Sequence, residues 1–324
     1  MKNFLFKKKN DILLIYGHRG WIGSMYIDYL ISNFPKLEIV KGEARIDTID
    51  VNTEIDKYSP THVVSFTGRT HGMIEGKLVN TIDYLEYPGK LVENIKDNLY
   101  GPVNLAIICK EKGIHYTYLG TGCIYNSKNI NNGTLPVKTY SCLQSVKCDV
   151  NLETDIQQFS EESLPNYFGS GYSTVKGFTD RLMASFPVLN LRIRMPISSI
   201  SNDRNFINKI AKYPFICSIP NSMTVLDDFF PIFTDLILKK KIGTYNCTNP
   251  GIITHNQILT MYKQIIDTDF TWNNMSIEEQ SKMLKCERSN NYLDTSKIEK
   301  EFPKLRSIND SMIIVLNKMK LKKK

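Results

Sequence analysis

The chain has 324 residues, 42% hydrophobic and 23% charged, which is enough apolar material for a large core and excludes an intrinsically unfolded chain. Its formal charge of +8 is a weak pointer to nucleic acid, because nine lysines in two terminal clusters (Lys2, Lys7, Lys8, Lys9 and Lys318, Lys320, Lys322, Lys323, Lys324) carry the whole excess and leave the body nearly neutral. No stretch approaches the roughly 20 apolar residues of a membrane span, the start lacks the order of a signal peptide, and seven irregularly spaced cysteines without a Cys-x-x-Cys pair suit neither a disulfide framework nor a metal site.

These features predict a soluble, cytoplasmic protein that binds neither nucleic acid nor membrane nor metal. Residues 1–10 read as a basic leader. Ile12–Tyr16 is a short apolar run that ends in glycines and precedes a helical pattern of Trp21, Ile22, Met25 and Leu30, so strand, tight turn and helix follow one another. Buried strands are predicted again at 62–66 and 115–119, each after a helix-compatible segment. The second of those segments carries Leu99, Val103 and Ile107 on one face, with Pro102 starting or kinking the helix. A fourth apolar run, 188–194, closes the alternation. Strands alternating with helices predict an α/β fold, a Rossmann-like doubly wound parallel sheet, over residues 11–195. Polar text from 126 to 160 reads as a long excursion. Beyond residue 195, shorter elements broken by Pro and Gly predict a smaller, mainly substrate-binding part over 196–317 rather than another sheet repeat. Residues 318–324 read as a frayed basic tail.

The string Gly17-His18-Arg19-Gly20-Trp21-Ile22-Gly23 sits where such a pattern has meaning, between a strand and a helix. Absent side chains let the backbone approach a pyrophosphate, and the free N–H groups and dipole of the helix favour its charge. Arg19 and Arg45 are the cations placed for the 2′-phosphate of NADP, while Glu38 and Glu43 leave NADH open. NADPH is the expected cofactor.

Gly171–Lys176 sets Tyr172 and Lys176 one helical turn apart, and Thr121 ends a predicted strand. A phenol beside a lysine is suited to protonate an alkoxide forming at a carbonyl. Two residues past Thr121 lies Cys123. Taken alone, it is either a small buried strand-end cysteine or a thiolate able to take a proton from carbon next to a ketone.

Together with these motifs, the blocks Arg192–Ser198, Asn205–Ile210, Ile219–Thr224 and Arg288–Asn291 give the chain, from about Ile12 to Ile314, a resemblance to the UDP-4-keto-6-deoxy-glucose 3,5-epimerase/4-reductase family of extended short-chain dehydrogenase/reductases. GDP-fucose synthase is similar at greater distance. The resemblance implies that Tyr172 and Lys176 serve the reduction and that Cys123 and Lys209 form the acid/base pair of epimerisation. It further implies that Asn205 and Arg288 bind a nucleotide-sugar substrate and that two copies pair through long sheet-flanking helices as a homodimer. The implied product is UDP-L-rhamnose. A GDP-sugar enzyme of the fucose-synthase kind, an enzyme that only reduces and a non-catalytic dinucleotide-binding regulator are the alternatives. Two departures from the family pattern stand out: Ser65-Phe66-Thr67-Gly68 where many relatives read Asn-Ala-Ala, and the length of the polar excursion.

Overall fold

The computed structural model describes residues 11–128 and 156–323. The basic leader and most of the polar excursion lie outside the described residues. Six parallel strands form the central sheet in the order β10-β8-β6-β3-β1-β2: β1 (Ile12–Tyr16), β2 (Glu38–Lys41), β3 (His62–Ser65), β6 (His115–Thr121), β8 (Val188–Ile193) and β10 (Gly243–Asn246). The chain therefore builds outward from β1 in one direction to β2 and then returns to build β3, β6, β8 and β10 on the other side. The carboxyl ends of β1 and β3 meet at this reversal, where an open parallel sheet leaves a crevice for ligands. A β4–β5 hairpin (Gly72–Ile74, Lys77–Val79) and two short parallel pairs, β7 (Gln158–Phe159) with β12 (Tyr292–Leu293) and β9 (Phe215–Ile216) with β11 (Asn273–Asn274), lie outside the sheet.

Both faces of the sheet are covered, which is why its central strands are buried almost without alternation. On one face, α1 (Trp21–Asn33) and α7 (Leu226–Leu238) bury Tyr26, Leu30, Phe229 and Phe233 against Leu13, Ile15, Leu189 and Leu191. On the other, α2 (Asp50–Tyr58) and α4 (Gly101–Glu111) pack Val51, Ile55, Leu105 and Cys109 onto Leu14, Tyr16, Tyr116 and Tyr118. A separate core holds the carboxyl-terminal part, where α6 (Phe206–Ile210), α8 (His255–Ile265) and α11 (Ile308–Lys323) surround Ile197, Met223 and Val225.

Three expectations change, and the alternative left open at Pro102 is resolved as a helix start. The boundary at residue 195 is crossed by the sheet itself, because α7 and β10 extend it; β10 reads Gly-Thr-Tyr-Asn, too polar and short to register as a strand, yet Tyr245 and Asn246 are buried in it. The predicted tail is helical through Lys323, held by Met312, Val315, Leu316 and Met319 at helical spacing against the carboxyl-terminal core. Pro102 lies in the first turn of α4, where a missing N–H is tolerated. It follows a single π turn at Lys96–Tyr100 that continues α3 (Lys90–Ile95). Lastly, α4 buries Leu105, Ile108 and Cys109 rather than the predicted stripe; Ile107 is 41% exposed.

One buried ion pair locks α5 (Gly171–Met183) to β8. Arg192 donates from Nε to Asp180 Oδ1 at 2.9 Å and from Nη2 to Oδ2 at 2.7 Å, and Asn190 Nδ2 reaches the same Oδ1 at 2.8 Å. Both charges are almost fully buried. Asp180→Ala leaves Arg192 uncompensated and is expected to cost about 3–5 kcal/mol in denaturant unfolding, whereas Asp180→Leu with Arg192→Met costs less than Asp180→Ala. Equal losses in the two proteins would contradict the assignment of the cost to the stranded charge.

Candidate active site

The glycine turn after β1 is shaped for close approach. Gly17 has φ +77°, and a Cβ there would lie 2.7 Å from the carbonyl carbon of Phe66; a Cβ on Gly23 would lie 2.3 Å from Gly17 O. Only glycine satisfies both positions. Helix α1 then starts at Trp21 with Gly20 as its N-cap, no capping side chain and no acidic residue in its first turn. Its first N–H groups and positive dipole end are left for an anion, so the residues present fit a dinucleotide pyrophosphate. His18 and Arg19 face Glu43 just beyond β2, with Arg19 in a salt bridge to it. Arg45 pairs instead with Asp47 at 2.9 Å and Asp97 at 3.1 Å. Each arginine expected to meet a 2′-phosphate thus already has a carboxylate partner.

Thr121 ends β6, and its Oγ1 accepts the Cys123 N–H at 3.1 Å. Ser170 caps α5 through the Ser173 N–H, which fixes the first turn on which Tyr172 stands. The Tyr172 phenol is buried, hydrogen-bonds Thr121 and packs with Tyr84, Leu85 and Cys123. Burial, then the neighbouring thiol, hold it above the usual tyrosine range, against the lowering effect of Thr121, so it is a protonated acid at neutral pH. One turn on, Lys176 hydrogen-bonds the Tyr118 hydroxyl and reaches Leu119 O at 3.4 Å. Burial brings its ammonium down to about 8.

Lys209 enters from another segment. It stands on α6, whose N-cap is Asn205, and Nζ donates to Asn80 O at 3.3 Å behind the β4–β5 hairpin. Burial, then Arg204 and Arg288, press the Lys209 ammonium below its ordinary range. Arg204 also hydrogen-bonds His71, whose imidazole burial and the surrounding cations bring to about 4.

Two expected substrate residues are otherwise engaged. Asn205 is fully buried; its Nδ2 donates to Ser198 O at 2.7 Å and Ile200 O at 3.0 Å while its Oδ1 caps α6, so it positions Lys209 rather than facing a ligand. Arg288 forms a salt bridge with Asp83 and donates to Cys286 O at 3.0 Å. Sequence reasoning missed Arg194, which lies inside the block Arg192–Ser198. It is 1% exposed and donates to Cys123 Sγ at 3.4 Å, Ser289 Oγ at 3.0 Å, Ser289 O and Asn221 Oδ1. The available signal was a charge at the end of an apolar strand.

The doubly wound sheet, the glycine turn and the Thr-Tyr-Lys arrangement at the sheet's carboxyl end define a short-chain dehydrogenase/reductase. No family model matches the sequence. The chain is 46% identical to the UDP-rhamnose synthase of Acanthamoeba polyphaga mimivirus, with a TM-score of 0.84 over 96% of this chain and 100% of that one. It is also 38% identical to the Arabidopsis thaliana bifunctional dTDP-4-dehydrorhamnose 3,5-epimerase/dTDP-4-dehydrorhamnose reductase, covering 93% of this chain and 90% of that protein. At 14% identity and a TM-score of 0.74, over 97% of this chain and 99% of that one, the Bacillus anthracis dTDP-4-dehydrorhamnose reductase, solved with NADP, shares the fold. The chain belongs to the sugar-nucleotide 3,5-epimerase/4-reductase family of the mimiviral and plant proteins.

The Arg19–Glu43 pair generates a cofactor prediction. Arg19→Ala is expected to weaken NADPH relative to NADH by on the order of 1.5 kcal/mol, roughly tenfold, since the cation is solvent-exposed. Glu43→Gln, which frees Arg19, moves the preference toward NADPH. Steady-state KM values for both cofactors check this, and equal changes for NADPH and NADH in either variant would refute it.

Proposed function

We propose that the protein epimerises C3 and C5 and reduces C4 of UDP-4-keto-6-deoxy-D-glucose, giving UDP-L-rhamnose. The observation that carries this reading is a thiol, Cys123, packed on the cluster that holds Tyr172 and near enough to act electrostatically on the phenol that a reductase uses as its acid. A plain 4-reductase has no use for a sulfur base there. The UDP sugar is favoured over its dTDP and GDP counterparts by the likeness to the mimiviral synthase.

The C4 ketone acidifies the hydrogens on C3 and C5, because the carbanion delocalises as an enolate. Cys123 as thiolate takes the carbon-bound proton, and Lys209, with its ammonium already made a readier donor by burial and by Arg204 and Arg288, returns one from the other side. Thr121 and Tyr172 steady the enolate oxygen by hydrogen bonding. Residues 17–23 would hold NADPH, which when bound would supply the hydride for C4. Tyr172 then gives its proton to the C4 oxygen, and Lys176 keeps positive charge near the phenolate that results.

The same reading includes a homodimer acting inside the cell. Leu91, Val92 and Ile95 of α3, Ile107 of α4 and Phe178 and Leu182 of α5 are 40–58% exposed on neighbouring helices. Apolar exposure of this kind on sheet-flanking helices suits a second copy of the chain. Phe178→Glu with Leu182→Glu is expected to convert a dimer into a monomer in sedimentation analysis; an unaltered sedimentation coefficient would place the contact elsewhere. An intracellular setting agrees with the five free thiols among the described residues.

Turnover of UDP-, dTDP- and GDP-4-keto-6-deoxy hexoses with NADPH, with products identified by NMR, tests the substrate. Tyr172→Phe is expected to lower NADPH oxidation about 10²- to 10⁴-fold while cofactor binding stays nearly intact. Cys123→Ser is expected to abolish solvent deuterium entry at C3 and C5 while C4 reduction continues, giving an unepimerised 6-deoxy sugar. Label entering at wild-type rates in Cys123→Ser would return that cysteine to a structural role.

A further inference from the structure

Two arginines at the end of β8 are both buried, and the fold treats them differently. Arg192 has the carboxylate of Asp180. Arg194 has none: among the described residues no Asp or Glu forms an ion pair with it, its acceptors are Asn221 Oδ1, Ser289 Oγ, Ser289 O and Cys123 Sγ, and its Nε has no partner. A buried charge is ordinarily paired, because neutral oxygens do not replace the hydration that a guanidinium gives up. The next residue, Met195, takes the left-handed φ of +40°, a conformation costly for a methionine, directly after Arg194 points inward. Charge and backbone strain held together in one buried spot call for a function. The one atom in the guanidinium's shell able to become an anion is the sulfur of Cys123.

We propose that Arg194 is a positioning residue for epimerisation, the counter-charge that holds Cys123 as the thiolate base and orients its sulfur. The proposal rests on Cys123 being that base. In the step itself, the Cys123 sulfur's electron pair takes the proton from C3 or C5. The C–H pair moves into the enolate, and the negative charge leaves the sulfur for the C4 oxygen beside Thr121 and Tyr172. Arg194 keeps all its protons and touches no reacting carbon. It lowers the cost of the charge-separated start and weakens as a partner once the sulfur is neutral.

The other ionisable groups facing this sulfur do not supply the same charge. Tyr172 of α5 and Tyr167 just before it are neutral phenols held protonated by burial. Lys176 of α5 acts on Cys123 electrostatically but spends its hydrogen bonds on Tyr118 and Leu119. Behind Arg194, His255 of α8 is brought to about 4 by burial and by Arg194 itself, so it is uncharged at neutral pH.

The test uses the full-length enzyme with NADP⁺ bound, so that exchange proceeds without reduction. Two quantities are followed against pH: peptide-resolved alkylation of Cys123 by iodoacetamide, which reports thiolate, and deuterium entry at C3 and C5 of UDP-4-keto-6-deoxy-D-glucose. In Arg194→Met the alkylation midpoint is expected to rise by about 1–3 pH units. Exchange near pH 7 should fall roughly tenfold or more and recover toward alkaline pH. Arg194→Lys should rescue part of the loss. Asn221→Asp is nearly isosteric, keeps the arginine and sets a carboxylate against it, so it should shift both profiles in the same direction even where Arg194→Met does not fold. Unchanged profiles in folded Arg194→Met, or in Asn221→Asp if the former does not fold, overturn the proposal. A shifted alkylation profile with exchange intact, when Cys123→Ser also exchanges normally, sinks the base assignment and the proposal with it.

Discussion

The contact between Asp180 and Arg192 is the constraint on which the reaction geometry depends. It ties the C-terminal half of α5 to strand β8 of the central sheet, and α5 carries Tyr172 two turns before the aspartate and Lys176 one turn before it. A helix resting on a sheet by apolar contact alone can slide or rotate by fractions of an ångström at little cost. A buried bidentate ion pair cannot, because any slip strands two charges in a medium that does not solvate them. The phenol and the ammonium therefore inherit their positions from a residue pair that takes no part in chemistry.

Burial then sets the protonation of the groups so placed. The same loss of water keeps the Tyr172 phenol protonated and brings the Lys176 and Lys209 ammonium groups down, so an acid stays an acid while two cations become readier proton donors. Arg194 is the exception that shows the rule: a guanidinium stays charged under the same desolvation. In the proposed epimerisation, negative charge arises first on sulfur and then on oxygen, and Arg194 is a permanent, carboxylate-free cation beside the first of these.

The segment 288–291 joins the two halves of the site. Arg288 contributes to the field at Lys209, Ser289 holds Arg194, and Asn291 donates to the carbonyls of Gly122 and Tyr125 around Cys123. The carboxyl-terminal part thus supplies part of the electrostatic setting for residues borne by the central sheet. Ser65-Phe66-Thr67-Gly68, the departure from the family pattern, is accommodated locally: Ser65 and Thr67 bond each other at 2.6 Å, and the Phe66 ring packs on Tyr26.

Features encoded over a few neighbouring residues can be read from the chain alone. The parallel strands appear as apolar runs, the dinucleotide turn as glycines at fixed spacing, and the Tyr172–Lys176 pair as a helical repeat. Each depends on backbone geometry that a short stretch dictates. The strand β10 and the helical end of α11 were hidden, since one is polar and the other dominated by lysines, and both are held by distant parts of the core. The folding of the whole chain makes Asn205 a helix cap, gives Arg288 to Asp83, turns Ile107 outward and points Arg194 inward to Cys123. An arginine in a sequence carries no mark of its partner. Whether its charge is solvated, neutralised or left bare against a sulfur depends on residues as far away as Ser289, and on water that only the assembled fold excludes.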